Sequence, residues 1–145
     1  MTGFSASPTV SVPVPVPVPV LALGDVLLVT LQGELHDGAA EQLQDDVARR
    51  IASSGAPVGG VVIDISGVEI VDSFLGRVLA EIAAAASLLA TRTVLAGMRP
   101  AVAITLVELG LTLPGLVTAL DVEAALSLLG RATLFAPHVH PEGGA

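Results

Sequence analysis

The chain of 145 residues contains no cysteine, no lysine, no tryptophan and no tyrosine. Without cysteine it cannot form a disulfide, a thiolate nucleophile or a cysteine-ligated zinc site. Without lysine it cannot form a Walker-type P-loop, in which a lysine holds the phosphates, or a lysine Schiff base. These absences exclude several large enzyme classes before any motif is considered.

Positive charge is also scarce. All six basic residues are arginines, and they face fourteen acidic residues, which gives a formal net charge of −8. Nucleic-acid binding needs basic side chains clustered on the phosphates, so no nucleic-acid partner is expected. Hydrophobic residues make up 52% of the chain, and its three aromatic residues are phenylalanines. Such a composition predicts one globular domain with an aliphatic core.

The two ends of the chain differ in composition from the middle. Residues 1–18 end in alternating valine and proline, which prevents a helix and predicts a flexible, polyproline-like leader. Residues 133–145 are rich in proline and glycine and are predicted to be a flexible tail. His138 and His140 lie in that tail, and two ligands alone make a poor metal site. The folded domain is expected to span residues 19–132, with no cofactor.

No membrane-spanning segment is expected. Proline interrupts the uncharged N-terminal region, which also lacks the positive residues that open a signal peptide. The apolar regions further along are interrupted by charged residues, namely Glu81, Arg92, Arg99 and Glu108. A soluble, cytoplasmic protein is therefore predicted.

The central region predicts five strands and four helices. Apolar runs at 18–22 and 26–32 are separated by a turn signal, and the β-branched run at 61–65 is typical of a strand buried on both faces. Apolar residues spaced by three or four indicate helices, of which the longest is expected from about residue 73 to residue 90. The order β-β-α-β-α-β-α-β-α favours an α/β fold with a mixed, mainly parallel sheet.

Several side chains within these elements receive a specific predicted place. Leu89 extends the core-facing stripe of the longest helix, and Leu109 lies on the apolar face of the following helix. Gly110 is predicted to end that helix in the left-handed conformation, and Asp121 to cap the last helix. Asp64 is expected to end its strand.

Two segments, residues 61–74 and 97–110, are more specific than this periodicity. The first is a strand and loop that end in Asp72-Ser73 at a helix start, and the second contains Gly-x-x-Pro, Ala-x-Thr and Leu-Gly after the next strand. Together they resemble the STAS domain family, and within it the small scaffold proteins of the stressosome, which are anti-sigma factor antagonists. The resemblance covers roughly residues 19–130.

The resemblance implies a regulatory function without catalysis. A scaffold of this type sequesters a serine/threonine switch kinase in a large complex with paralogous STAS proteins, and releases the kinase after phosphorylation. Ser73 matches the family's phosphorylated serine, and Thr105 matches a position phosphorylated in some longer paralogues. Partner contacts are expected from residues in the two motifs, namely Glu69, Asp72, Phe74 and Arg99. A homodimer is expected as the local unit, because a self-complementary patch closes with two-fold symmetry.

Several alternatives remain open from the residues alone. Asp72 or Ser73 is a preferred helix cap in any protein, and Thr105 in mid-helix suits a packing or back-bonding role. Asp64 and Asp72 could form an acid pair, but neither motif contains a histidine or lysine to complete a catalytic set. A simple anti-anti-sigma factor that binds its kinase pairwise is one alternative function. A small-ligand or nucleotide sensor is another, although no basic or glycine-rich phosphate cradle is visible.

Overall fold

The computed structural model describes residues 18–111 and 116–130. The predicted leader and tail fall almost entirely outside these residues, as do His138 and His140. The described chain forms five strands and four helices in the predicted order. Their bounds are β1 Val20–Leu23, β2 Val26–Gln32, α1 Asp37–Ser53, β3 Gly60–Gly67, α2 Ser73–Leu88, β4 Thr93–Ala96, α3 Pro100–Glu108, β5 Leu116–Ala119 and α4 Val122–Leu128.

The five strands form one sheet in the order β1-β2-β3-β4-β5. The hairpin pair β1 and β2 is antiparallel, and each pair from β2 to β5 is parallel. The predicted mixed, mainly parallel sheet is therefore confirmed. Because β2 to β5 run the same way, the loops that follow β2, β3 and β4 leave the sheet at one edge.

The two faces of the sheet carry cores of different size. In β3, Val61, Ile63 and Ile65 join a large cluster with α1, α2 and α3. The intervening Val62 joins a smaller cluster with α4 on the opposite face. Side chains alternate across a strand, so the consecutive apolar residues Val61, Val62 and Ile63 of β3 serve both faces of the sheet.

The prediction that Asp64 ends its strand is wrong. β3 continues to Gly67, and its pairing with β2 shifts register between Thr30 and Gln32. The Asp64 carboxylate accepts a hydrogen bond from the backbone N–H of Ser66 at 2.9 Å, and both residues lie within β3. An aspartate whose carboxylate accepts from the backbone N–H two residues later can occur inside a strand as well as after it.

The predictions for Leu89 and Leu109 are also wrong. Leu89 is 39% exposed and Leu109 is 46% exposed. Each is the C-cap, the first residue after the last residue of its helix, so its side chain leaves the core-facing stripe that the earlier leucines follow. Since α2 ends at Leu88, its 16 residues make it one residue shorter than α1, with 17.

Other local predictions are confirmed. Gly110 has a φ of +69°, the left-handed conformation expected after α3. Asp121 caps α4 by accepting a hydrogen bond from the Ala124 backbone N–H at 2.7 Å. Among residues 18–111 and 116–130, no helix has the length and apolar character needed to cross a membrane.

Candidate functional site

Ser73 is the first residue of α2, and its side chain is exposed to solvent. It lies at the edge of the sheet where the β2–α1, β3–α2 and β4–α3 loops meet. The helix behind it is firmly held, because Leu79 and Ile82 are fully buried in the larger core. The hydroxyl is therefore presented outward on a rigid support.

Asp72 caps the same helix. Its carboxylate accepts a hydrogen bond from the Leu75 backbone N–H at 2.9 Å, and its own backbone is extended, as in other N-cap residues. The capping role that sequence reasoning left open thus belongs to Asp72. Ser73 forms no hydrogen bond through its hydroxyl with any other residue in the described part of the chain, so this hydroxyl is free for another purpose.

The loop before Ser73 is anchored at two points and exposed between them. Val68 and Val71 are buried in the larger core. Glu69 is exposed, and the side chain of Ile70 is 83% exposed. An isoleucine held in solvent between two buried valines is an apolar contact point beside the serine.

Arg99 ties this loop to the next one. Its Nε–H donates a hydrogen bond to the Ser66 carbonyl oxygen at 2.9 Å, and its Nη1 lies 3.8 Å from Glu69 Oε2. The close approach depends on Gly97, whose φ is +77° and where a Cβ would lie 2.9 Å from Ser66 Cβ. The predicted residues Glu69 and Arg99 are therefore brought together, and the surface around Ser73 is not purely acidic.

A pocket of about 370 Å³ opens beside the first turn of α2. Three carboxylates line it, those of Glu34, Glu69 and Asp72, and its apolar lining includes Ile70 and Phe74. No arginine is among its lining residues. A cavity with this lining repels phosphate groups, which weighs against the nucleotide-sensor alternative.

Thr105 is placed differently from Ser73. It is half-buried in the middle of α3, and its hydroxyl donates a hydrogen bond to the Ala101 carbonyl oxygen at 2.9 Å. This is the back-bonding arrangement that the sequence allowed. A kinase would have to break this contact before it could reach the oxygen, which is not the case at Ser73.

No catalytic arrangement is visible among the described residues. Asp64 and Asp72 each accept a hydrogen bond from a nearby backbone N–H, at Ser66 and Leu75 respectively. Within residues 18–111 and 116–130, no group of three or more histidine, aspartate or glutamate side chains could hold a metal ion. What the site offers is an exposed hydroxyl, charged neighbours and apolar contact points.

Sequence reasoning did not single out three residues in or near this surface. Ile70 and Glu34 line the pocket, and Arg77 lies one helical turn after Ser73. Nothing in the run Val68-Glu69-Ile70-Val71 distinguishes the exposed residue from the buried ones, because a loop has no fixed period. The four-residue spacing of Ser73 and Arg77, by contrast, was a signal that could have been used.

The fold and this site together define the class of protein. A sequence model of the STAS domain matches residues 18–125, which is most of the chain. The chain therefore belongs to the STAS domain family, and the resemblance seen in the two motifs is confirmed.

Individual relatives show which members of the STAS domain family this chain is similar to. A solved structure of RsbS from Moorella thermoacetica, in a variant with one serine replaced by glutamate, is 42% identical to this chain with a TM-score of 0.68; the match covers 78% of this chain and 94% of RsbS. A chain from the molecular architecture of the stressosome, described as a signal integration and transduction hub, is 44% identical with a TM-score of 0.67, over 77% of this chain and 96% of that one.

A longer relative is the RsbT co-antagonist protein RsbRA of Bacillus subtilis. It is 28% identical over 94 residues, which are 65% of this chain and 34% of RsbRA. This chain therefore corresponds to about a third of the length of that relative.

Proposed function

We propose that this protein is a scaffold of the stressosome type, which holds a serine kinase and releases it once that kinase has phosphorylated Ser73. The observation that carries the proposal is the exposed Ser73 hydroxyl at the first position of a capped, well-packed helix. The similarity to RsbS and to a stressosome chain, each above 40% identity, supports the same function. The protein acts by binding and has no catalytic step of its own.

The domain itself tolerates a phosphate at this position. The start of a helix carries unpaired backbone N–H groups and the positive end of the helix dipole, which stabilises a nearby anion by about 0.3–1 kcal/mol. The buried apolar face of α2 does not include Ser73, which is exposed, so the packing of the helix does not depend on the hydroxyl. Phosphorylation therefore changes the surface and leaves the fold intact.

A docked partner responds differently. A phosphate adds about −1.5 to −2 charges at pH 7. It would lie close to Glu69 and Asp72, and next to the apolar side chains of Ile70 and Phe74. A partner packed on this surface would have to desolvate the new charge or face it with like charge, and both are unfavourable. Release of the kinase is the expected consequence.

The assembly function needs a second surface, and α3 provides one. Ile104 is 59% exposed and Val107 is 79% exposed, and they project from the same helix at a spacing of three residues. A chain with a net charge of −8 associates with copies or paralogues most easily through a face that bears little charge. We infer that this face contributes to a homodimer and to contacts with paralogous STAS proteins.

RsbT is the protein for which RsbRA is named a co-antagonist, and we propose it as the kinase. The switch is tested by incubating the purified 145-residue chain with RsbT and ATP. We expect a complex without ATP, a single added phosphate at Ser73 by mass spectrometry, and dissociation afterwards. Ser73→Ala should still bind RsbT, but it should not accept phosphate and should not release RsbT when ATP is added. Ser87→Ala, which changes another exposed serine of α2, is the matched control and should behave as the unaltered protein.

Two results would contradict the proposal. Phosphate found on Ser73→Ala would place the modification elsewhere, and unchanged binding after full modification of Ser73 would remove the switch. Sedimentation in the presence of paralogous STAS proteins separates the remaining alternatives. A very large particle supports a scaffold, whereas a discrete pairwise complex supports a simple anti-anti-sigma factor.

A further inference from the structure

Arg77 is exposed on α2, four residues after Ser73. Two other arginines form ion pairs, Arg49 with Asp46 at 3.2 Å and Arg99 with Glu69 at 3.8 Å. The Arg77 guanidinium forms no ion pair or hydrogen bond with any residue of 18–111 or 116–130. It is a charge without a partner on the same helix as the switch serine.

The carboxylate nearest to Arg77 along the helix is engaged elsewhere. Glu81 lies four residues after Arg77, but its Oε1 accepts a hydrogen bond from Gln44 Nε2 of α1 at 2.7 Å. A basic residue that precedes an acidic one is also the weaker order for a pair at this spacing. Ser73 and Glu81 each lie four residues from Arg77, and of these two only Ser73 has no side-chain partner among the described residues.

The order of Ser73 and Arg77 suits a phosphate. Side chains at positions i and i+4 of a helix are about 5–6 Å apart at their Cβ atoms, and an acidic group that precedes a basic one is the better order. A phosphoserine supplies three acceptor oxygens, and the planar guanidinium of arginine can donate two parallel hydrogen bonds to them. Modification of Ser73 would create the ion pair that Arg77 now lacks.

We propose that Arg77 captures the phosphate on Ser73 within the same chain, and that before modification it binds a carboxylate of the docked partner. Phosphorylation then has two effects on the partner: it adds a charge and withdraws a cation from the interface. This proposal rests on the proposed function, because it requires that Ser73 is the modified residue.

Arg99 is the other arginine near this surface, and its position makes it a poorer choice. Its Nε–H already donates to the Ser66 carbonyl oxygen, and its Nη1 faces Glu69. To reach a phosphate it would have to release the contact that ties two loops together. Arg77 has no such contact to give up among the described residues.

The phosphate pair is tested by ³¹P NMR on full-length chain in which phosphoserine is incorporated at position 73 during synthesis, so that no kinase is needed. A nearby cation favours the dianion and lowers the second pKa of the phosphate. We expect Arg77→Gln to raise that pKa by about 0.2–0.4 pH unit relative to the unaltered chain. Arg92→Gln removes the same charge from the connection between α2 and β4, beyond the end of α2 away from Ser73, and should leave the pKa unchanged.

The outcomes separate the candidates. Equal pKa values for Arg77→Gln and Arg92→Gln would overturn capture by Arg77, and a larger rise for Arg99→Gln would assign the phosphate to Arg99. If Arg77→Gln raises the pKa but RsbT and ATP never modify Ser73, then the phosphate pair stands and the proposed function fails. Circular dichroism of each variant confirms that the fold is retained.

Binding to RsbT tests the second half of the proposal. Without ATP, Arg77→Gln should bind RsbT about two- to fivefold more weakly than the unaltered chain, because an interfacial ion pair is lost. Ser73→Glu should weaken RsbT binding more when Arg77 is present than when position 77 is already glutamine, because only Arg77 can be withdrawn from the partner by the new carboxylate. Binding of Arg77→Gln equal to that of the unaltered chain would show that Arg77 does not hold the partner.

Discussion

Two helices of this domain begin in nearly the same way. α2 and α4 each follow a parallel strand, and each is capped by an aspartate whose carboxylate accepts a hydrogen bond from the backbone N–H three residues on. The distances are 2.9 Å for Asp72 and 2.7 Å for Asp121. By capping geometry alone the two starts are equivalent.

Their surroundings differ. The first residue of α2 is an exposed serine beside a pocket, and the loop before it is tied to a neighbouring loop by Arg99. The first residue of α4 is Val122, a half-buried side chain that packs on the smaller core. A capped helix start is thus an ordinary structural element, and the neighbouring side chains make one of the two a candidate switch.

The most direct way to break this comparison is to copy the serine. Val122→Ser creates an Asp-Ser pair at the start of α4, equivalent in capping to the pair at α2. We expect no phosphorylation of the new serine by RsbT and ATP, because the loop, pocket and Arg77 that surround Ser73 are missing there. Phosphopeptide mapping of the Ser73→Ala, Val122→Ser double variant gives the answer. Modification at position 122 would mean that the kinase reads only the dipeptide.

The next largest effect concerns the close contacts that glycines allow at α4 and at α2. A Cβ added at Gly60 would lie 2.6 Å from Leu129 Cδ1 and 2.7 Å from its Cδ2, and Leu129 is a buried residue at the end of α4. We expect Gly60→Ala to lower the free energy of unfolding by about 1–3 kcal/mol, as overpacking does.

Gly76→Ala in α2 is the counterpart. Its Cβ would approach Leu111 Cδ1 to 2.5 Å, but this is the tip of a half-buried side chain that can move. Alanine is also favoured over glycine in a helix by about 1 kcal/mol, so we expect a smaller net change. Urea denaturation of both variants measures the difference. A larger loss for Gly76→Ala would show that α2, rather than α4, depends on a single tight contact.

Removing either aspartate cap should lower the free energy of unfolding by a similar amount, but the length of helix that frays should differ. Asp72→Ala and Asp121→Ala should each cost about 1 kcal/mol, since each leaves a backbone N–H without its acceptor. Hydrogen exchange should show fraying of the first turn of α2 and of most of α4, because α4 has only seven residues. Equal protection in the middle of the two helices would contradict this expectation.

The smallest expected effect is on the loop before α2, which Arg99 ties to the loop after β4. Arg99→Gln removes an exposed contact to Glu69 and the hydrogen bond to the Ser66 carbonyl oxygen. Exposed pairs of this kind contribute about 0–1 kcal/mol, so global stability should change little. Faster hydrogen exchange confined to residues 66–72 is the expected signature. No local change would mean that the buried Val68 and Val71 position the loop alone.

The fold was predictable because its signals are repeated many times. The period of each helix and the apolar run Val61-Val62-Ile63 of β3 are set by burial, which leaves a pattern in the sequence. Leu89 and Leu109 were misplaced because periodicity does not show where a helix stops. Ile70 lies in a loop, where no period distinguishes exposed from buried residues. Arg77 lies off the apolar stripe of α2, so its exposure and its spacing from Ser73 could be predicted, but its lack of an ion-pair partner among the described residues could not.

The direction of β1 has a practical consequence. β1 is antiparallel to β2, so the chain enters the sheet near the edge where Ser73 lies, whereas α4 returns towards the start of β3 and places Leu129 over Gly60. A fluorophore or affinity handle joined directly to Val18 would be attached on the same side as the serine and could hinder its partners. The same handle joined directly to Gly130 would be attached on the far side, which makes that position the safer choice for reporting on binding.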